Sequence, residues 1–348
     1  MKKLILLTLF LCSLNTVSQA QQDPMFTQYM FNPLPYNPAY AGATEALDIL
    51  LLHRQQWVGI NGAPMSQHLS IHSPMKIGKE NQNAAIGAVI GHDQIGLSRT
   101  FSANGVFSYK LQLSNPKKVN RRVYLNIGLS GGVSFFSADY NKLELDNVND
   151  PSFQNLQPSM WLPNFGAGLY LHSKMWYVGL SAPKLWTNNM RNRSAGESNN
   201  GPIAQEYRHY YFTVGGAIKL GENFAIRPSL LIKNVGLFMA SNAKNDVAAP
   251  TEFNVDLGFL IMKRFWIGAS FRSAVEAFVG ETSSYDSVDF WLGMRLKSGL
   301  RFGLAYDYHL TSLQGPSVGS YEVMLGYDLN RAMPGDGENV VDPRYLNF

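Results

Sequence analysis

From about Arg208 to Asn330 the chain alternates apolar and polar residues in one short stretch after another, with no helical pattern between them. Leu300, Phe302, Leu304, Tyr306 and Tyr308 share one parity, and Arg301, Gly303, Ala305, Asp307 and His309 share the other. Successive side chains of a strand point to opposite faces, so each such stretch has one greasy and one polar face. Repeated hairpin after hairpin, this pattern predicts a closed antiparallel β-barrel with lipid outside and water inside.

The first residues carry the three parts of a secretory leader. Lys2 and Lys3 precede an apolar run from Leu4 to Leu14, and Ser18-Gln19-Ala20 supplies the small-residue cleavage site, so the mature chain is expected to begin at Gln21. The single cysteine, Cys12, lies inside the apolar run and follows Leu11, where a lipoprotein would have a small residue. A mature chain without a thiol excludes disulfides, cysteine nucleophiles and thiolate metal sites. No later stretch approaches the eighteen or so apolar residues of a membrane helix. The net charge of +4 falls further once the leader's lysines leave, which gives no argument for nucleic acid.

A membrane strand needs roughly 9 to 11 residues to cross at its tilt. Segments with the right alternation lie near 46–58, 65–73, 83–93, 100–113, 122–136, 164–172, 174–182, 208–219, 222–234, 251–262, 264–275, 287–296, 299–309 and 319–329. That is about fourteen strands, an even number. Tight turns at His172–Lys174, Leu220–Glu222, Met262–Lys263 and Lys297–Gly299 alternate with longer stretches at 138–163, 183–207, 235–250, 276–286 and 310–318. Short turns face the periplasm in bacterial barrels, which puts both termini on that side.

Arg or Lys at the lipid midplane costs about 2–4 kcal/mol, so the charges fix the register. Arg227, Asp289, Arg295, Arg301, Asp307 and Glu322 are therefore assigned to the lumen, where they pair or are solvated. Inward glycines at 215, 258, 268, 303 and 326 leave room for bends or for a plug near the wall. Aromatics near strand ends, Trp176, Tyr177, Tyr210, Tyr211, Trp266, Tyr306, Tyr308 and Tyr327, suit interfacial girdles.

Gln21 to Gly42, QQDPMFTQYMFNPLPYNPAYAG, does not read as a strand. Prolines at 24, 33, 35 and 38 and two Asn-Pro steps favour turns. The segment is too short to fold alone and too aromatic to float free. Its expected place is the lumen or the periplasmic mouth, with Phe26, Tyr29, Phe31, Asn32, Asn37 and Tyr40 as contact residues.

The stretch DPMFTQYMFNPLPYNPAYAG resembles the N-terminal signature of the PorP/SprF family of Bacteroidota outer-membrane proteins, and the resemblance continues through HRQQWVGINGAPMSQHLSIHSPM at 53–75. It is carried by the first quarter of the chain. It implies a component of, or accessory to, the type IX secretion system. The partners implied are a secreted adhesin or other client, periplasmic and outer-membrane subunits of the machine, and the bilayer. Members resembling SprF are linked to secretion or attachment of adhesins, including gliding adhesins, and members resembling PorP to the core machine.

Within the second motif, Arg54, Gln56 and Trp57 close the first strand, and Gly59, Gly62 and Pro64 shape an outer connection. Ser66, His68, Ser70 and His72 share the inward parity of the next strand. They either grip a client segment or hydrogen-bond the chain's own N-terminal segment. Residues four apart on a strand lie roughly 13 Å apart, so His68 and His72 cannot share a metal ion. HLSIH therefore lacks the helix that a zinc motif requires.

No nucleophile elbow, oxyanion hole, phosphate loop or calcium loop is recognisable, and an enzyme, a cofactor or a metal site is not expected. Asp139, Glu144, Asp146 and Asp150 read as solvated loop residues. The expected organisation is a leader at 1–20, a plug-like segment at 21–45, an outer-membrane barrel at 46–330 and a periplasmic tail at 331–348. A rival reading is a FadL-like channel for small hydrophobic substrates, which would need a continuous apolar tunnel.

Overall fold

The computed structural model describes residues 24–44, 46–75, 83–114, 122–139, 159–190, 204–236, 251–275 and 285–329. The leader, the tail at 331–348 and the acidic positions Glu144, Asp146 and Asp150 lie outside these residues.

The barrel strands are β1 (Asp48–Gln55), β2 (Met65–Met75), β3 (Ala84–Ile95), β4 (Ser98–Gln112), β5 (Val123–Ala138), β6 (Ser159–Ser173) and β7 (Trp176–Lys184). They continue with β8 (His209–Gly216), β9 (Phe224–Val235), β10 (Glu252–Ile261), β11 (Phe265–Ala274), β12 (Ser287–Arg295), β13 (Leu300–His309) and β14 (Ser320–Asp328). Every strand pairs antiparallel with its chain neighbour, and β1 closes the ring on β14 from Asp48↔Asp328 to Gln55↔Tyr321. Each of the fourteen expected segments is found. A two-stranded hairpin, Asn188–Met190 with Ala204–Glu206, stands outside the ring.

The register follows the charge argument. Arg301, Gly303, Ala305, Asp307 and His309 of β13 are buried in the lumen, while Phe302, Leu304 and Tyr308 are exposed on the outer surface. Arg227, Asp289 and Glu322 are likewise buried. Three of the expected girdle aromatics belong elsewhere. Tyr177, Tyr211 and Trp266 face inward because each lies on the inward parity of its strand, and there they pack against the aromatic segment that fills the lumen.

On the rim reached by β1, the connections 139–158, 185–208, 236–251 and 275–286 are long. The other rim has the tight turns 174–175, 262–264 and 296–299. There are exceptions on both, the turn at 96–97 on the first rim and the stretches 76–83 and 113–122 on the second. The usual asymmetry of bacterial barrels assigns short turns to the periplasm, and the short-turn rim is called the periplasmic rim on that convention. Barrel height is uneven: β4, β5 and β6 have 15, 16 and 15 residues, β1 and β14 only 8 and 9. The long strands exceed what a crossing needs.

Residues 24–44 lie inside the ring. Two 3₁₀ turns, Tyr29–Phe31 and Pro38–Tyr40, shape the segment, and Met25, Phe26, Tyr29, Met30, Phe31, Leu34, Tyr36 and Tyr40 are all buried. Asn37 caps the second turn, its side-chain oxygen accepting from the Ala39 N–H at 2.9 Å. Prolines suit this course because a lumen-filling chain has no ladder to donate to.

Candidate functional site

The segment is held at its N-terminal end by a buried charge cluster in the outer half of the lumen. Arg54 of β1 lies 2.5 Å from Asp307 of β13 and 3.3 Å from Glu322 of β14. Arg272 of β11 lies 3.2 Å from Asp289 of β12 and 3.6 Å from Asp307. Into this cluster Thr27 inserts its hydroxyl. It donates to Asp307 at 2.6 Å and accepts from Arg54 at 3.1 Å and from Arg272 at 3.0 Å. A hydroxyl has one proton and two lone pairs, so Thr27 is saturated. Glu322 accepts the backbone N–H of Thr27 at 2.9 Å and of Gln28 at 2.8 Å, one on each carboxylate oxygen. A carboxylate that bonds two successive N–H groups and a guanidinium recovers much of what burial removes.

Below this anchor the contacts are aromatic. Phe31 meets Trp266 and Trp291 edge-on at 5.7 and 5.5 Å, with the Arg227 guanidinium 5.7 Å from its ring centre. Trp291 donates to Asp256 at 2.6 Å, and the Tyr29 hydroxyl lies 2.9 Å from that of Ser229. Tyr36 packs on Tyr211 at 5.2 Å, and its hydroxyl accepts from the Phe26 N–H at 3.0 Å, tying two parts of the segment together.

Wall glycines then let the segment lie directly on strand backbone. A Cβ at Gly128 of β5 would strike the backbone of Pro38 and Ala39, and one at Gly168 of β6 would strike the Asn37 side chain. Asn37 donates to the Leu169 carbonyl at 3.0 Å. Tyr40 stands edge-on to His72 and Tyr170 at 5.2 and 5.6 Å, and Phe26 edge-on to His68 at 4.8 Å. A second ionic layer closes the periplasmic end, where Arg301 lies 2.5 Å from Asp48 and 3.2 Å from Asp328. Two cavities left between segment and wall each offer about 10 Å³, roughly the space of one water molecule.

Of the residues singled out in the sequence, Phe26, Tyr29, Phe31, Asn37, Tyr40, Arg54, His68 and His72 meet across the segment–wall boundary. Asn32 is buried and ends the first 3₁₀ turn, its N–H donating to Tyr29. Gln56 and Trp57 are elsewhere. Their N–H groups donate to Pro64 and to the Ser320 hydroxyl in the outer turn, and none of their hydrogen bonds or ring contacts reaches residues 24–44. The sequence reading missed Thr27, Gln28, Tyr36 and Arg272. Parity could have found Arg272, since it shares the inward face with Trp266 and Ser270, but the hydroxyl of Thr27 carries no signal of its own. The segment also does more than cap a mouth: Phe26–Gln28 reach the outer half of the lumen, so the described chain starts there and runs down to the periplasmic rim.

Residues 18–327 match the type IX secretion system membrane protein PorP/SprF family. The chain belongs to the PorP/SprF family. No curated protein matches it in sequence. Among solved structures this PorP/SprF chain is similar to the CymD monoaromatic hydrocarbon channel, at 12% identity and a TM-score of 0.48 over 87% of this chain and 92% of that one. It is also similar to BamA from Haemophilus ducreyi lacking POTRA domains 1–3, at 8% identity and a TM-score of 0.39 over 82% and 70% of the two chains. The KdgM porin follows at 9% identity and 0.34, over 80% and 98%.

Proposed function

We propose that this PorP/SprF protein is a non-enzymatic outer-membrane component of the type IX secretion system that supports secretion or surface attachment of client proteins such as large adhesins, including gliding adhesins, by binding protein partners. In this reading the leader is cleaved on export and the short turns face the periplasm. The observation that carries it, together with family membership, is the filled lumen. An interior crossed by the buried residues 24–44, tied to the wall from the Arg54 cluster down to Tyr40, is no passage for a folded or an extended client. Work on a client is therefore done from the rims and the outer connections, or after the segment leaves.

The FadL-like reading needs a continuous apolar tunnel. Two buried ionic layers and the aromatic packing between them weigh against it. The deciding experiment is affinity purification of the tagged full-length protein from native outer membranes, with mass spectrometry of what survives a detergent wash. Recovery of a surface adhesin or secretion-machine subunits is expected. A lone barrel carrying small apolar molecules would overturn the proposal in favour of the channel.

A further inference from the structure

Four consecutive turns on the periplasmic rim, at 174–175, 217–223, 262–264 and 296–299, form one arc under the strands from β6 to β13. Lys174, Lys219, Lys263, Arg264 and Lys297 lie on these turns against Glu222 alone. Lys219 is within electrostatic reach of both Lys174 and Lys263, so three turns bring like charges together. Backbone bonds lock the turns to one another: Ala217 N–H to Met175, Met262 N–H to Asn223 and Arg295 N–H to Arg264, at 2.8, 2.7 and 2.9 Å. The cations therefore cannot spread apart by moving their turns. Strands about 4.8 Å apart space neighbouring turns by about 10 Å.

Large apolar side chains stand exposed among these cations. Trp176, Ile218, Leu220, Met262, Phe265 and Leu296 are all exposed, Met262 by 65%. The turn at Met262–Lys263 has positive φ at both central residues, 51° and 59°. That geometry suits Asn-Gly, and it strains residues with larger side chains. The chain keeps a thioether and an ammonium there against its backbone preference, and such outliers cluster where a side chain has work to do.

We propose that this arc is a binding site for the phosphate headgroups of anionic phospholipid in the adjacent membrane leaflet. Turns this short keep the cations level with the headgroups, and the apolar side chains between them fit acyl chains, which an acidic periplasmic protein would not supply. Lysine stems can lie along that apolar surface while the ammonium reaches the phosphate. A basic residue beside an anionic surface is favoured by about 1 kcal/mol, or about fivefold, and the effect fades within a Debye length.

The test uses the full-length protein reconstituted in phosphatidylcholine vesicles with trace spin-labelled phosphatidylglycerol or phosphatidylcholine, reading the motionally restricted fraction of each. The parent is expected to prefer phosphatidylglycerol about fivefold, with the preference lost in high salt and in Lys174→Gln/Lys219→Gln/Lys263→Gln/Lys297→Gln. A Met262→Asn/Lys263→Gly variant, which suits the turn better and so guards against misfolding, is expected to lose part of it. No preference in the parent would overturn the proposal, as would a preference that survives the quadruple change. Abolition by millimolar inorganic phosphate alone would make the arc a free-phosphate site, and retention of an acidic peptide but not of the lipid would make it a protein dock. Either result would also overturn it.

Discussion

At the scale of the residue, Thr27 is the point on which the lumen segment hangs. Replacing it by valine keeps the shape and removes the hydroxyl that satisfies two guanidiniums and one carboxylate. Leaving buried polar groups unpaired costs about 1–3 kcal/mol, more for charged ones. Thr27→Val is therefore expected to loosen residues 24–44, read as faster hydrogen exchange there with the strands unchanged. Arg54→Ala removes the cation shared by Asp307 and Glu322, and breaking such a buried pair from one side costs about 3–5 kcal/mol. Trp57→Ala touches only the outer turn and is expected to leave the segment as protected from protease as in the parent. Equal loosening by Arg54→Ala and Trp57→Ala would refute this placement of the anchor.

At the scale of the element, two kinds of strand position can be told apart by substitution. Leu304 faces lipid, and Leu304→Arg is expected to cost about 2–4 kcal/mol if it lies at the midplane, read as lower folding yield into vesicles. Gly128 and Gly303 both face the lumen, but a methyl at Gly128 meets fixed backbone of Pro38 and Ala39, whereas at Gly303 it meets the ends of the Gln28 and Met324 side chains. Gly128→Ala should therefore displace the segment, detected by new protease cleavage within it, and Gly303→Ala should be tolerated by rotamer shifts. The strands themselves were legible in the sequence because lipid penalises a charge on the wrong parity, which makes the alternation a direct record of the fold. Aromatics were read less well: nearness to a strand end suggested a girdle for both Trp266 and Trp176, but only parity separates them, Trp266 sharing the inward face with Ser270 and Arg272 and meeting Phe31 there. Arg54, His68 and His72 could be read as wall residues from parity alone, while the match of Glu322 to two successive N–H groups of the segment depends on a register that local sequence does not set.

At the scale of the whole molecule, the ring and its contents act as one closed body. The parent reconstituted in a planar bilayer is expected to show no steady conductance, and Arg54→Ala/Arg272→Ala, which dismantles the anchor, is expected to conduct. A conducting parent would contradict the packing. The seam where the first strand meets the last has a further consequence. Arg54 on one side of that seam and Glu322 on the other both hold Thr27, and Thr27 lies 295 residues from Glu322 in sequence. Contacts so distant along the chain form late and slowly during folding. The final zipping of β1 onto β14 and the seating of the segment are thus one event in biogenesis, and a barrel that closes empty leaves Glu322 short of two donors and Asp307 short of one, which makes the mis-assembled ring the less stable product.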